Sequence, residues 1–571
     1  MSSRALLAGL LSLPALWAVL AWSRALRSRA AGSRLARQKA APRPSSPTPP
    51  PPASIEDPSL IEPHASVAQP TKAACDKLSE ASLDPRGDHA WDELRESAHS
   101  LLDASLDHLV SCSHGRVWTP APESLRSGLL SPLPRDPSPL SSVCKQMRSF
   151  LPYGVGNTHP RFFGWVHGSG TPAGLLPELV AAAINANCGG RDHIGIHLER
   201  AVLGWARELA GFPAGCGALL TSGTSMATVI AIKAARDQRM GFEACREGGV
   251  CYAGGGGGGG GEGGCRGGGV EGRLLGYIAE GGHSCAKRAF DLLGLGSSQL
   301  RAVPLTPDFG MDLLALRSLV TADRQAGGMP FALLGTAGSV NVGAIDPLNL
   351  LADFAEEQDL WFHVDGAIGC AALLSDVARP LLSGLSRANS LAFDFHKWLH
   401  VNYDCGCVLV RDADTQLRSF SERPDYLAPN ARGLAAGSPW PVDYGPELSR
   451  GCRALKVWSH LKVHGTRRLG DAITTNLLHA RHLANLVDSQ PRLERLAPVK
   501  LQIVVFRYCG STGSGLDAIN DAIVVQLQEQ GTAAPSTTRI SGKLAIRVNI
   551  TNHRTRFEDL DFLIDEVLRI G

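Results

Sequence analysis

Lys397 stands in the run Phe395-His396-Lys397-Trp398, and an earlier apolar run, Trp361-Phe362-His363-Val364-Asp365-Gly366-Ala367, carries a carboxylate where it breaks off. A second apolar stretch, Ser390-Leu391-Ala392-Phe393, leads to the lysine. A buried amine and a buried acid at the ends of neighbouring strands are what pyridoxal 5'-phosphate (PLP) chemistry needs. The amine joins the cofactor through an imine, and the acid keeps the pyridine nitrogen protonated so that the ring accepts electrons.

Such groups must be held by a scaffold, and from Thr158 onward the pattern alternates between strand and helix. Helices are expected over 171–187 and 198–210, the latter ending at Gly211. A short strand then runs into Thr221-Ser222-Gly223-Thr224-Ser225 and a helix from about Met226. That turn can cradle a phosphate with backbone N–H groups, a helix dipole and two hydroxyls, although Ser and Thr at a helix start are more often simple caps. The expected strand 274–279 leads to His283, which could stack on a flat ring or merely cap a helix. The expected strand 331–334 leads to Thr336-Ala337-Gly338-Ser339, whose small residues allow a ligand close to the backbone. Polar or small residues thus fall at strand ends near 222, 283, 336 and 365, the edge where open α/β sheets bind ligands.

Composition excludes several classes. The 571 residues are 44% hydrophobic, enough for one large and one or two small domains. A net charge of +2 gives no reason to expect a nucleic acid. The 14 cysteines form no Cys-x-x-Cys pair, Cys405-Gly406-Cys407 lacks metal-site spacing, and free thiols in a reducing compartment are expected, with no metal. The eight glycines of 254–261 suit a disordered surface insert, extending to 269, and not a phosphate loop.

Residues 5–22 carry no charge, and Arg24, Arg27, Arg29, Arg34, Arg37, Lys39 and Arg43 follow before any acid. A membrane anchor, a secretory signal and an organellar targeting peptide compete; anchor or targeting fits the placement of charge better. The proline-rich stretch 41–53 reads as an extended spacer. A packing helix is expected over 88–112, with Asp88 as its cap.

His159-Pro160-Arg161-Phe162-Phe163-Gly164, Thr336-Ala337-Gly338, His363-Val364-Asp365-Gly366-Ala367 and Asp394-Phe395-His396-Lys397-Trp398 together resemble the landmarks of the group II pyridoxal-dependent amino-acid decarboxylases, with most likeness to the bacterial valine-decarboxylase-like branch. The similarity runs from about His159 to the C-terminus. It departs from the family where Phe395 replaces a usual proline and Gly366 a common alanine. It implies an α/β PLP-dependent transferase-like fold of type I, with a mostly parallel seven-stranded sheet and a small C-terminal α+β domain. The expected divisions are 1–55 (targeting or anchor segment and linker), 56–157 (helical), 158–440 (PLP-binding) and 441–571 (C-terminal).

The resemblance also implies roles. Lys397 would carry the cofactor, Asp365 would pair with the ring nitrogen, His283 would stack on one face and Ala367 would pack the other. Thr336 would lie near the ring oxygen. Gly223, Thr224 and Ser225 would hold the phosphate with His396 nearby, and Tyr426 would help return a proton. The catalytic set is thus Lys397, Tyr426, His283 and Asp365. A homodimer acting on an amino acid as its small-molecule substrate is expected, in an organelle or on a membrane tethered through residues 5–22. Phe162, Phe163 and Trp165 are expected near the substrate side chain, which suggests a neutral aliphatic, sulfur-containing or aromatic amino acid, while Arg161 and His167 keep an acidic one open. Three rivals remain: a lyase of the sphingosine-phosphate type, a decarboxylating aldehyde synthase, and an inactive scaffold protein.

Overall fold

The structure, a computed structural model, describes residues 83–248, 252–253, 270–271, 273–422, 428–510 and 515–571. The chain divides into Met1–Asp84 and Pro85–Gly571, and the architecture below is that of the second unit. Its helices of nine or more residues are α1 (Gly87–Ser111), α2 (Leu140–Phe150), α3 (Leu175–Ile184), α4 (Ile194–Ala210), α5 (Thr224–Met240), α6 (Ser284–Leu292), α7 (Leu313–Gln325), α8 (Leu348–Glu357), α9 (Arg453–Ser489), α10 (Leu516–Gln530) and α11 (Phe557–Ile570).

The strands β1 (Gly217–Thr221), β2 (Leu274–Ala279), β3 (Leu300–Val303), β4 (Met329–Thr336), β5 (Trp361–Asp365), β6 (Ser390–Asp394) and β7 (Gly406–Val410) form one sheet in the order β1-β7-β6-β5-β4-β2-β3. All run parallel except β7, which opposes both of its neighbours. The strands are almost wholly buried because helices cover both faces. Period-two alternation sorts their side chains. Leu220, Phe362, Val364, Leu391 and Phe393 pack on one face, and Leu219, Trp361, Ala392 and Val408 on the other.

Helix α4 is capped by the His193 ring, which accepts the Gly195 N–H, and it stops at Gly211, whose φ is 66°. Asp312 caps α7 by accepting two backbone N–H groups. A second, antiparallel sheet follows, from β8 (Leu493–Arg495), β9 (Ile503–Tyr508), β10 (Ser536–Ile540) and β11 (Lys543–Asn549), ordered β8-β9-β11-β10. Phe506, Ile546 and Val548 pack there against Ile523, Leu527, Leu560 and Leu563. Helix α9, expected to end near His464, continues to Ser489 through a break in helical geometry at Gly465.

Asp88 lies inside the first turn of α1, not at its cap, which is Arg86 with no side-chain bond. Of α1 only Ala104 is buried, and α2 buries nothing; Trp91, Val110, Leu140, Val143, Met147 and Phe150 are exposed. The expected packing helix therefore packs little against the described residues. Among the described residues no helix is long and apolar enough to cross a membrane. Residues 5–22, the glycine run 254–261 and Tyr426 lie outside the described residues.

Candidate active site

The carboxyl ends of β1, β4, β5 and β6 point to one edge of the sheet, where a cavity of about 860 Å³ opens. Gly223, Thr224, Ser225, His283, Thr336, Asp365, Ala367, His396 and Lys397 all line it. These residues come from five separate stretches of sequence, and the parallel strands bring them together.

Lys397 follows the end of β6, and its Nζ lies 2.8 Å from Oδ2 of Asp394, the last residue of that strand. The other Asp394 oxygen accepts the Thr224 N–H at 2.7 Å. One carboxylate thus ties the lysine turn to the first turn of α5. Burial opposes the lysine's charge, but the Asp394 carboxylate, with Asp365 and Tyr403, outweighs it and holds the ammonium above its ordinary range.

The Asp365 carboxylate accepts the Ala367 N–H at 3.0 Å, and the Cys285 thiol lies 3.9 Å from its other oxygen. Burial pushes that thiol up to about 12, so it stays protonated and donates. His283 caps α6, its Nδ1 accepting the Cys285 N–H at 3.3 Å, and it also lines the cavity. Burial keeps His283 and His396 below the ordinary imidazole range, against the pull of Asp365 on the first and Asp394 on the second. His396 sits with Nδ1 3.0 Å from the Cys405 backbone, its ring 4.4 Å from that of Tyr403.

Thr336 is fixed from behind. Asp346 accepts its N–H at 2.7 Å and that of Met311 at 2.8 Å. Two glycines permit the close packing. A side chain at Gly168 would collide with the His396 carbonyl oxygen, and a Cβ at Gly406 would lie 2.5 Å from the Gly223 Cα.

The expected substrate wall needs correction. Trp165 and His167 line the cavity, but Phe162 packs on Val117 and Ala534, and Phe163 belongs to the core of the C-terminal sheet. The segment is clamped to that sheet by bonds from Phe163 N–H to Ala534 O and from Asn549 N–H to Phe163 O, each 2.9 Å long, which turns both rings away. Arg161 lies over the Phe562 ring, outside the cavity wall.

Three groups were missed by the sequence reading. Asp394 was visible three residues before the lysine but was not given a task. Asp346 gave no signal. Arg547 stands as a cation within an apolar strand, which was a signal. It is 3% exposed. Its Nε donates to Val340 O at 2.9 Å and its Nη1 to Trp165 O at 2.8 Å, while Nη2 has no partner among the described residues. Burial lowers it to about 10, so it remains charged at neutral pH, and it lines the cavity.

The arrangement fits PLP. Thr224 Oγ1 is buried without a hydrogen-bond partner at the start of α5, where a dianion would be met by N–H groups and hydroxyls. The lysine amine and the Asp365 carboxylate line the same cavity.

Comparison with known proteins agrees. The pyridoxal-dependent decarboxylase conserved domain matches residues 262–509. The aromatic-L-amino-acid decarboxylase of Bacillus atrophaeus is 29% identical over 485 residues, covering 82% of this chain and 93% of the relative. The phenylacetaldehyde synthase of Petunia hybrida is 28% identical over 442 residues, covering 73% and 80%. The crystal structure of Catharanthus roseus tryptophan decarboxylase in complex with L-tryptophan shares the fold with a TM-score of 0.71 at 23% identity, covering 84% of this chain and 98% of that one. Landmarks, fold and relatives agree: residues 262–509 match the conserved domain of the pyridoxal-dependent decarboxylases, the chain is similar to them over most of its length, and it is a PLP-dependent amino-acid decarboxylase.

Proposed function

We propose that the protein converts an L-amino acid with an aromatic or other apolar side chain to its amine and carbon dioxide. The observation that carries this is the free Nη2 of Arg547 in a cavity whose wall includes Trp165, Val155, Val340 and Ile368 beside polar groups such as Asn157, His167 and Asn341. Lys397 is already matched to Asp394, which leaves Arg547 for one carboxylate. Anchoring that group orients the bond to be broken.

When bound, PLP supplies the electron sink for the pair released as carbon dioxide leaves. Lys397 Nζ would hold the cofactor, and as the free amine its ammonium has Asp394 Oδ2 within one hydrogen bond. Asp365 would supply the fixed negative charge for the ring nitrogen. Gly223, Thr224 and Ser225 would hold the phosphate. His283 and Ala367 would pack the two faces of the ring. Thr336, backed by Asp346, would lie near the ring oxygen. Tyr426 would return a proton to the substrate carbon.

Arg547 also supports a second reading, in which it binds an acidic side chain. Amine formation across the twenty amino acids separates the two. The first reading expects L-tryptophan, L-tyrosine, L-phenylalanine or an aliphatic amino acid to lead; leadership by L-glutamate or L-aspartate replaces it with the second. The resemblance to the valine-type branch makes L-valine a member of that panel, and the synthase relative makes aldehyde and hydrogen peroxide worth measuring beside amine. We further infer a homodimer, because the exposed apolar faces of α1 and α2 need a cover. Sedimentation at monomer mass would remove this inference.

A further inference from the structure

The loop between β6 and β7 carries Lys397 on its outward limb and Tyr403 on its return, and both line the cavity. Its base is closed by the N–H groups of Phe395 and His396, which donate to Cys405 O at 2.9 Å and 3.2 Å. The Tyr403 ring lies against His396 of the same loop, with centroids 4.4 Å and planes 38° apart, and its centroid is 6.1 Å from that of the His167 ring. Yet Tyr403 is 47% exposed, so packing alone does not fix it.

Its backbone is fixed from α9. Lys456 Nζ donates to Tyr403 O at 3.0 Å and to Glu178 Oε1 on α3 at 2.7 Å. Three residues earlier, Arg453 Nε donates to Asp404 Oδ1 and Arg453 Nη1 to Glu447 Oε2, each at 3.2 Å. The start of α9 thus grips two consecutive residues of the loop. Lys456 is 8% exposed and lies outside the cavity wall. A buried ammonium is costly to place, and its acceptors offset that cost without making it more stabilising than an apolar side chain of similar volume. What the ammonium does that an apolar group cannot is hold the Tyr403 carbonyl.

We propose that Lys456 is a positioning residue for the decarboxylation, holding the Tyr403 carbonyl so that the Tyr403 ring stays against His396 as a fixed wall of the substrate cavity. The proposal rests on the cavity being the active site and not on which amino acid is used. Without this bond the carbonyl is free to turn, and the ring with it. A wall that must be ordered as substrate binds weakens binding. The match of Lys397 to Asp394 does not involve Lys456, so KM should change more than kcat.

The test is a double-mutant cycle on the holoenzyme, with KM measured on the amino acid it decarboxylates fastest. Lys456→Met is expected to raise KM ~10-fold with kcat within ~2-fold of wild type. It should also alter the visible circular dichroism of the bound cofactor before any substrate is added. Lys456→Arg, which keeps the charge and a donor for both acceptors, should restore both readings. In a Tyr403→Ala background, where the ring is gone, Lys456→Met should change neither further. Should Lys456→Met fail to fold, Lys456→Gln, which loses the charge but keeps a donor, takes its place in the cycle with a smaller effect. The proposal is overturned if the substituted enzyme matches wild type in KM and dichroism, or if the effect is equally large without the Tyr403 ring.

Discussion

The two sheets contribute to the cavity in opposite ways. At the edge of the parallel sheet every charged group is matched: Lys397 by Asp394, Asp394 by Thr224, Asp365 by Ala367 and Cys285. The C-terminal sheet delivers Arg547 with part of its guanidinium unmatched and buried. Matched groups are held in place before a ligand arrives. An unmatched buried donor costs free energy until a ligand completes it. On the proposed function, the cofactor belongs to the first region and the substrate anion to the second.

Breaking the matched side should cost most. Lys397→Ala is expected to lower amine formation by ~10³-fold or more and to remove the cofactor's visible absorbance; an unaltered spectrum takes the lysine out of its role. Asp365→Asn keeps the shape but loses the charge, and ~10²-fold in kcat should go with it. A variant with wild-type kcat would show that this carboxylate does not face the ring nitrogen.

On the unmatched side, Arg547→Met should raise KM by ~10- to 100-fold, the loss of a charged hydrogen bond, with a smaller change in kcat. If KM rises for acidic amino acids alone, the guanidinium serves the side chain instead. Equal KM for every substrate would dissolve the contrast between the sheets.

The smallest effect concerns Asp346 behind Thr336. Burial raises its pKa from 3.8 to about 6, against the two N–H groups it accepts. The folded chain therefore holds this proton more tightly than the unfolded chain. Its contribution to stability is complete below pH 3.8, falls as pH rises, and is lost above about 6, a total of about 3 kcal/mol. The difference in unfolding free energy between wild type and Asp346→Asn should decline over that window and be flat above it. A difference independent of pH would show that Asp346 is ionised throughout.

Much of this was legible in the chain. Strand β2 falls where the sequence put it, since a run of apolar residues bounded by turn residues leaves few alternatives. The strand ends carrying Ser222, Thr336 and Asp365 were readable because parallel strands align their carboxyl ends. The errors share one cause. Phe162 and Phe163 looked like neighbours of Trp165 along the chain, but bonds to Ala534 and Asn549, hundreds of residues away, decide where they face. Asp346 was hidden for the same reason, and Arg547, though visible as a cation in an apolar strand, showed no task there. Their value depends on what lacks a partner, or on which N–H lies opposite, and neither is a local property of sequence.

The contact between Gly406 and Gly223 bears on how such a pocket can be remodelled. Strand β7 runs against its neighbours and wedges the anion turn beside the lysine turn with no room for a methyl group. Directed evolution toward new amines can vary Trp165, Val340 or Thr537 on the open rim. It will find positions 168 and 406 closed, because a side chain at either would press on the turns that carry the reactive amine and its counter-anion.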